Sequence, residues 1–392
     1  MKPLDRIQTY HVDLTARRRD FHAHPELGFE ESRTSDIVAR ELAALGIEVH
    51  RGVGKTGVVG VLREGNGPAT IGLRADMDAL PILEANAFAH KSTNPGVMHA
   101  CGHDGHTTML LGAARYLAET RNFNGTVNFI FQPAEEGRGG AEAMLQDALF
   151  ERFPCDTVFG MHNQPGMKVG TFAIRPGTMM AGGAFFDIFV EGRGSHGARP
   201  EAGVDSVLVA AHIVTALQSI VSRNVPALDS AVVSATTVQG GDAYNVIPQT
   251  AVIRGTVRTF KNETMDLVDA SMQRIAENVA AAFGASARVD FRKLFAPLVN
   301  DAAQTELFAD VAADIVGEPN VERARSLIMA SEDFSFMLEA RPGAYINIGN
   351  GDTVGSCPVH NPGYDFNDEI LPLGAAALAG IVEKKLPRFA EK

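Results

Sequence analysis

The sequence predicts an α/β protein in which a large domain is interrupted by a smaller α+β one. Three observations carry this. Short apolar runs alternate with helical patterns over the first half of the chain, as in a sheet covered by helices on both sides. Near Gly182 the texture changes to the order β-α-β-β-α-β, which fits a split βαβ sandwich. From about Pro297 the first texture returns. The larger domain is therefore expected over residues 1–181 and 295–392, and the smaller over 182–294.

The elements follow in order. Leu4, Ile7, Leu14 and Phe21 fall roughly on one stripe and predict a first helix. SDIVARELAALGIEV predicts a second, stopped near Gly46. GVVGVL, ATIGLRAD, TVNFIFQ and DTVFGMH predict strands. Between them TTMLLGAARYLAET is helical, with Leu110, Ala113, Ala114 and Leu117 on one face. In the interrupting segment GGAFFDIFVEGRGSH, SAVVSATTVQGG, AVIRGTVRTF and SARVDFRKL predict strands. SVLVAAHIVTALQSIVSR and NETMDLVDASMQRIAENVAAAFG predict helices. SLIMASEDFSFML and GAYINIGNG belong to the resumed α/β texture.

Composition bounds the function. The 392 residues are 45% hydrophobic, ample for two domains. Lys and Arg number 35 against 47 Asp and Glu, a net charge of −12, and the one basic run is Arg17–Arg19. Nucleic acid and anionic membranes select a basic face, so neither is an expected partner. No run of about eighteen apolar residues is present, so no membrane span is expected. The first twenty residues lack an apolar signal core, and the cysteines are only Cys101, Cys155 and Cys357. Reduced thiols in the cytoplasm are the expectation.

Four segments carry metal-competent side chains near strand ends or in glycine-rich loops, where open α/β sheets gather ligands. In MHACGHDGHTT, Cys101 and His103 are separated only by Gly102, so both can turn to one ion. A thiolate with an imidazole suits zinc or a similar divalent ion. In FQPAEEGRGGAEAML, Pro133 ends a strand and Glu135 and Glu136 follow. Adjacent carboxylates repel unless a cation or proton offsets them. One can bind metal while the other acts as a base on a water, and the residues alone do not say which. A solvated acidic turn is the plainer explanation of that pair taken singly. His162 in GMHNQPG and His360 in CPVHNPGYDFND complete the set. Singly, each is the kind of histidine that merely satisfies a hydrogen bond. Together Cys101, His103, Glu136, His162 and His360 supply five ligands, enough for two ions with a bridging group or for one ion with spares. In LRADMDALPI, Asp76 and Asp78 follow another strand, and Asp78 can orient a ligand imidazole or simply form a turn. His22, His24, His99 and His106 are expected to be structural or to support the ligands.

RRDFHAHPELGFEE, LRADMDALPI, MHACGHDGHTT, FQPAEEGRGGAEAM, GRGSHGARP, NVIPQ, MASEDFSF and HNPGYDFND, in this order, resemble the hippurate hydrolase and N-acyl-amino-acid amidohydrolase family. That family lies within the aminoacylase/carboxypeptidase group of metallopeptidases. The resemblance runs from about Arg17 to about Leu378. It implies a three-layer catalytic α/β domain with a mixed sheet and a two-metal site. It also implies a ferredoxin-like lid that mediates homodimerisation. The reaction implied is cleavage of the amide of a small N-acyl amino acid. A dipeptidase, a carboxypeptidase or an amino-acid-conjugate hydrolase of the same group is the alternative. The resemblance makes Cys101, His103, Glu136, His162 and His360 the ligands of two divalent ions, zinc, manganese, nickel or cobalt. It makes Glu135 the general base, and His196 and Asn245 substrate or oxyanion contacts. Arg258, on the strand AVIRGTVRTF, can pair with a substrate or product carboxylate, because guanidinium matches carboxylate geometry.

Overall fold

The structure is a computed structural model, and it describes residues 2–351 and 357–388. In chain order the first part comprises helices α1 (Pro3–Ile7), α2 (His11–Ala23) and α3 (Ser32–Ala44), and strands β1 (Glu48–Val53), β2 (Gly57–Glu64) and β3 (Thr70–Asp76). Then come α4 (His103–Thr120), β4 (Gly125–Gln132), α5 (Gly140–Gln146), α6 (Leu149–Arg152), β5 (Thr157–Pro165), β6 (Phe172–Ala173) and β7 (Gly177–Met180). The interrupting segment holds β8 (Gly182–Glu191), β9 (Ser195–His196), α7 (Ser206–Ser219), β10 (Ala231–Gln239), β11 (Val246–Ile247), β12 (Thr250–Thr259), α8 (Asn262–Ala282) and β13 (Ser286–Phe295). The chain closes with β14 (Leu298–Asn300), α9 (Ala302–Val316), β15 (Val321–Glu322), α10 (Phe334–Ala340), β16 (Gly343–Gly351) and α11 (Leu371–Lys385).

Two compact units result. The larger comprises Met1–Met179, Val299–Ser326 and Asp333–Lys392, and the smaller comprises Met180–Leu298 with Leu327–Glu332. The larger unit is built on an eight-stranded mixed sheet in the order β1-β2-β4-β3-β5-β16-β6-β15. Its centre, β4-β3-β5-β16, is parallel, and β1, β2 and β4 pair antiparallel toward one edge. Parallel strands are covered on both faces, so they read as unbroken apolar runs. Accordingly β16 is buried along its whole length, as is most of β3 and β4. Val127, Phe129, Phe131, Ile346 and Ile348 pack in one core with Leu110 and Leu117 of α4 and Ala375 and Leu378 of α11.

The smaller unit has a four-stranded antiparallel sheet, ordered β10-β12-β8-β13. The inward residues Ala184, Phe186, Ile188 and Val190 of β8 alternate with more exposed ones. They form a separate core with Ile213 and Leu217 of α7 and Val268 and Met272 of α8. Ser206–Asn224, α7 and the turn after it, is long and apolar enough by composition alone to cross a bilayer. Its residues Val209, Ala210, Ile213 and Leu217 pack within the smaller unit's own core, while Val207, Leu208 and Val221 are exposed.

Candidate active site

The register of the parallel strands brings the chemistry to one edge of the larger sheet. Asp76, the last residue of β3, stands level with Gln132, the last of β4. Arg74 pairs with Gly160 of β5, so His162 lies two residues further along at the same edge. His162 is inside β5 rather than just beyond it, because the strand continues to Pro165. His103 likewise is not in a loop, since it opens α4. The residue before it must be glycine. Gly102 has φ 97° and a Cβ there would sit 2.2 Å from Asn163 Nδ2. The tight turn leaves Cys101 and His103 free to face the same space.

The five expected ligands resolve into two overlapping groups. One donor atom each from Cys101, His103 and His162 lie within 4.8 Å of one another, and so do those from Cys101, Glu136 and His360. Cys101 is common to both groups. Cys101 Sγ is 3.3 Å from His162 Nε2, and His360 Nε2 is 3.2 Å from Glu136 Oε1. Two of the three imidazoles are held from behind. His103 Nδ1 is 3.2 Å from Asp78 Oδ1, and His162 Nδ1 is 2.5 Å from the Asn163 carbonyl. Asp78 Oδ2 also accepts the Glu136 backbone N–H at 3.0 Å.

Two buried atoms at this place make no hydrogen bond, His103 Nε2 and Glu136 Oε1. Buried polar atoms are rarely left so. They lie 4.0 Å apart, one in each of the two groups, and ions held by those groups would give both atoms a partner. The electrostatics agree. Burial opposes charge on His103, but the Asp76 carboxylate and the hydrogen bond to Asp78 outweigh it, and its pKa rises to about 10. Burial and then the Glu136 and Glu135 charges push the Cys101 thiol well above its ordinary value. Burial holds His162 well below the histidine range. Without a cation the site thus keeps one proton on His103 and another on Cys101, and ions binding here would displace both.

The nearby His106 is a different case. Its Nε2 accepts the Asn163 backbone N–H at 3.0 Å, so its Nδ1 carries the proton that bonds Asp76 Oδ1 at 2.7 Å. Neither His106 nitrogen is left for a metal, although Asp76, His103 and His106 also lie close together. His22 bridges Asp104 and Glu84 at 2.9 and 3.2 Å, and His24 Nδ1 bonds the Asp20 carbonyl. His99 is buried with neither nitrogen hydrogen-bonded.

Glu135 is buried and 6% exposed, and its Oε1 lies 3.4 Å from the Asp333 backbone N–H. Asp333 is in turn fixed by Gln132 Nε2 at 2.7 Å, Arg74 Nη2 at 3.1 Å and the Ala141 N–H at 2.9 Å. Arg74, wholly buried, also meets Asp76 Oδ2 at 2.7 Å. Sequence reading missed Arg74 and Asp333 as parts of the site. Their one signal is a charged residue inside an apolar strand, Arg74 in TIGLRAD.

The structure places His196, Asn245 and Arg258 in the smaller unit. His196 is on β9 opposite Val246, and the Gly197 N–H donates to the Asn245 carbonyl at 2.7 Å, so His196 and Asn245 share one ribbon. Arg258 is on β12, half-buried, donating to Thr256 Oγ1 and to the Val257 carbonyl. No carboxylate pairs with it among the described residues.

Comparison with known proteins agrees with this geometry. Residues 72–384 match the model of peptidase family M20/M25/M40. The chain is 45% identical over 370 residues to a hippurate hydrolase of Campylobacter jejuni, covering 94% of this chain and 95% of that one. It is 40% identical to the IAA-amino acid hydrolase ILR1-like 4 of Arabidopsis thaliana, covering 94% of this chain and 84% of that one. Among solved structures it resembles the Bacillus subtilis YXEP protein, described as a dinuclear metal binding peptidase from the M20 family. The TM-score is 0.84 and the identity 34%, over 97% of this chain and 99% of that one.

Proposed function

Because the chain belongs to peptidase family M20/M25/M40, we propose as its reaction the metal-dependent hydrolysis of N-acyl amino acids of the hippurate type. The products are a carboxylic acid and a free amino acid. The observation that carries this reading is the pair of ligand groups sharing Cys101, with the buried Glu135 carboxylate beside them. The relatives named for hydrolysis of hippurate and of an amino-acid conjugate match nearly end to end. A dipeptidase or carboxypeptidase activity is not favoured by those names.

Cys101, His103, Glu136, His162 and His360 would hold two divalent ions. When bound, these would polarise the amide carbonyl and acidify a water. Glu135 accepts that water's proton as the oxygen adds to the carbonyl carbon, and then delivers it to the leaving amine nitrogen. The Asp333 N–H keeps the carboxylate aimed while this happens. Asp78 orients His103 and the Glu136 backbone together. A closed structural metal site would have about four ligands and no base, and Glu135 beside Glu136 is what such a site would lack. In the smaller unit, His196 is the donor for the developing oxyanion, with Asn245 a substrate contact. Burial without a carboxylate partner lowers the pKa of Arg258, and a substrate carboxylate would stabilise its charge. The metals are drawn from zinc, manganese, nickel and cobalt, and the thiolate and imidazoles favour the borderline ions of that set over manganese. We place the enzyme in the cytoplasm, as a homodimer formed through the smaller unit.

The test is turnover of a panel of N-acyl amino acids, hippurate included, by chelator-stripped protein before and after single divalent metals are added. Metal-restored cleavage is expected. No cleavage with any metal, in protein that still binds two ions, overturns the reading.

A further inference from the structure

The ligands of the second group come from distant parts of the chain, and one of them stands on strained backbone. His360 has φ 64°, and its side chain is 51% exposed, whereas Cys101 and His103 are buried. A non-glycine residue stays in the left-handed region only when its surroundings over-determine it. The His360 N–H reaches the Ala100 carbonyl at 2.7 Å. The residues that follow are tied down by further neutral contacts. The Pro362 carbonyl accepts from Ala85, the Tyr364 carbonyl from Asn86, and the Tyr364 hydroxyl donates to Asn163.

Behind these lies one buried cation, Arg18 of α2, which is 1% exposed. Its Nη1 donates to Asp365 at 2.7 Å and its Nε to Asp368 at 2.6 Å. The same Nη1 is 3.7 Å from Asp104 Oδ2. Asp104 follows His103 directly, and Asp365 lies five residues beyond His360. The facing groups are His22, bonded to Asp104 and Glu84, His90, 3.2 Å from Asp365, and Arg19, 2.9 Å from Asp368. His22 therefore holds the His103 side, and among the described residues Arg18 is the cation that meets carboxylates on both sides.

We propose that Arg18 is a positioning residue for the cation site. It clamps the segment that carries His360 to the helix start that carries His103, and so keeps the Cys101–Glu136–His360 group assembled. The planar fork is what the place requires, since two carboxylates are met from Nε and Nη1 and a lysine offers a single point charge. The inference rests on the two-ion reading above. It predicts an asymmetry that reading does not contain. Loss of Arg18 weakens the ion held by Glu136 and His360 and spares the one held by His103 and His162.

The experiment is titration of chelator-stripped protein with cobalt(II), followed by calorimetry and by the thiolate-to-cobalt absorption that reports Cys101. Wild-type protein takes up two ions. Arg18→Gln is expected to keep one ion at wild-type affinity, with the thiolate band intact, and to bind the other about ten- to a hundredfold more weakly, the usual effect of removing a group that supports a ligand. Arg18→Lys behaves like Arg18→Gln, and saturating cobalt restores hippurate turnover in both. Asp365→Asn, at a partly exposed carboxylate, shifts the same ion in the same direction by less. It serves as the test if Arg18→Gln does not fold. Unchanged affinity for both ions, or equal weakening of both, overturns the inference alone. Fewer than two ions in the wild type overturns the two-ion reading, and the inference with it.

Discussion

Asp78 holds His103 from behind, its Oδ1 3.2 Å from His103 Nδ1, while its other oxygen accepts the Glu136 backbone N–H. One carboxylate thus aims an imidazole from one group of candidate ligands and the backbone of a glutamate from the other. It meets two donors, and an amide offers one acceptor. Asp78→Asn must therefore lose one of the two contacts. Divalent-ion affinity is expected to fall about ten- to a hundredfold. Metal titration of stripped protein reads this, and an undiminished affinity would show that Asp78 only forms the turn before Pro81.

Glu135 and Glu136 differ in what surrounds them. Glu136 Oε1 faces His360 and makes no hydrogen bond, whereas Glu135 is set against the Asp333 N–H. Glu135→Gln keeps the shape and the contact with Asp333 but cannot take a proton. Its kcat should drop about 10²- to 10⁴-fold, the usual contribution of a general base. Metal content, measured on the same sample, should stay at the wild-type level. Retained turnover in metal-replete Glu135→Gln would remove Glu135 from the chemistry.

Arg74 sits wholly buried between Asp76 and Asp333 and also donates to Gln132 at 2.8 Å. Burial raises the pKa of Asp76, but the His103 and Arg74 charges outweigh it and hold the carboxyl well below its usual range. Arg74→Met would remove the guanidinium that the two buried carboxylates share. Breaking a buried pair in this way costs about 3–5 kcal/mol. The denaturation midpoint should move accordingly, and Arg74→Lys should recover only part of the loss, because one ammonium does not span three acceptors. A midpoint unchanged by Arg74→Met would mean the carboxylates are solvated or neutral.

The α/β character was legible because buried parallel strands write themselves as apolar runs, as in TIGLRAD and GAYINIGNG, whereas the mixed sheet was implied only by the family resemblance. Strand β1, EVHRGV, was not, since an edge strand with mostly exposed side chains carries no such pattern. The segments bearing Cys101, His103, Glu136, His162 and His360 stood out because each joins an unusual donor to a strand end or a glycine turn, and the structure brings those five together. What stayed hidden was non-local. Arg74 and Asp333 are 259 residues apart in sequence, and nothing near either one announces the partner. The same holds for Leu327–Glu332, which group with the smaller unit although the chain around them belongs to the larger. Sequence reading did set His22 apart from the ligands, but not the reason, a pair of buried carboxylates on its two nitrogens.

That pair makes folding pH-dependent in a definite direction. Burial opposes charge on His22, but the hydrogen bonds to Asp104 and Glu84 outweigh it and raise its pKa from 6.5 to about 9. Below pH 6.5 the imidazolium is charged in both the folded and the unfolded chain, and its stabilisation is fully present. Between pH 6.5 and about 9 only the folded chain keeps the proton, so stability drains away as pH rises, and above that range the contribution is gone. The shift corresponds to about 3 kcal/mol. His22→Gln removes the cation from between two carboxylates and should cost about 3–5 kcal/mol at pH 6. The gap between wild type and His22→Gln should then shrink by about 3 kcal/mol on going to pH 9.5. Groups that do not interact with His22 titrate alike in both proteins and cancel in the difference. Denaturant melts of the two proteins across that range measure it, and a gap that is constant with pH would mean that His22 is neutral in the folded chain.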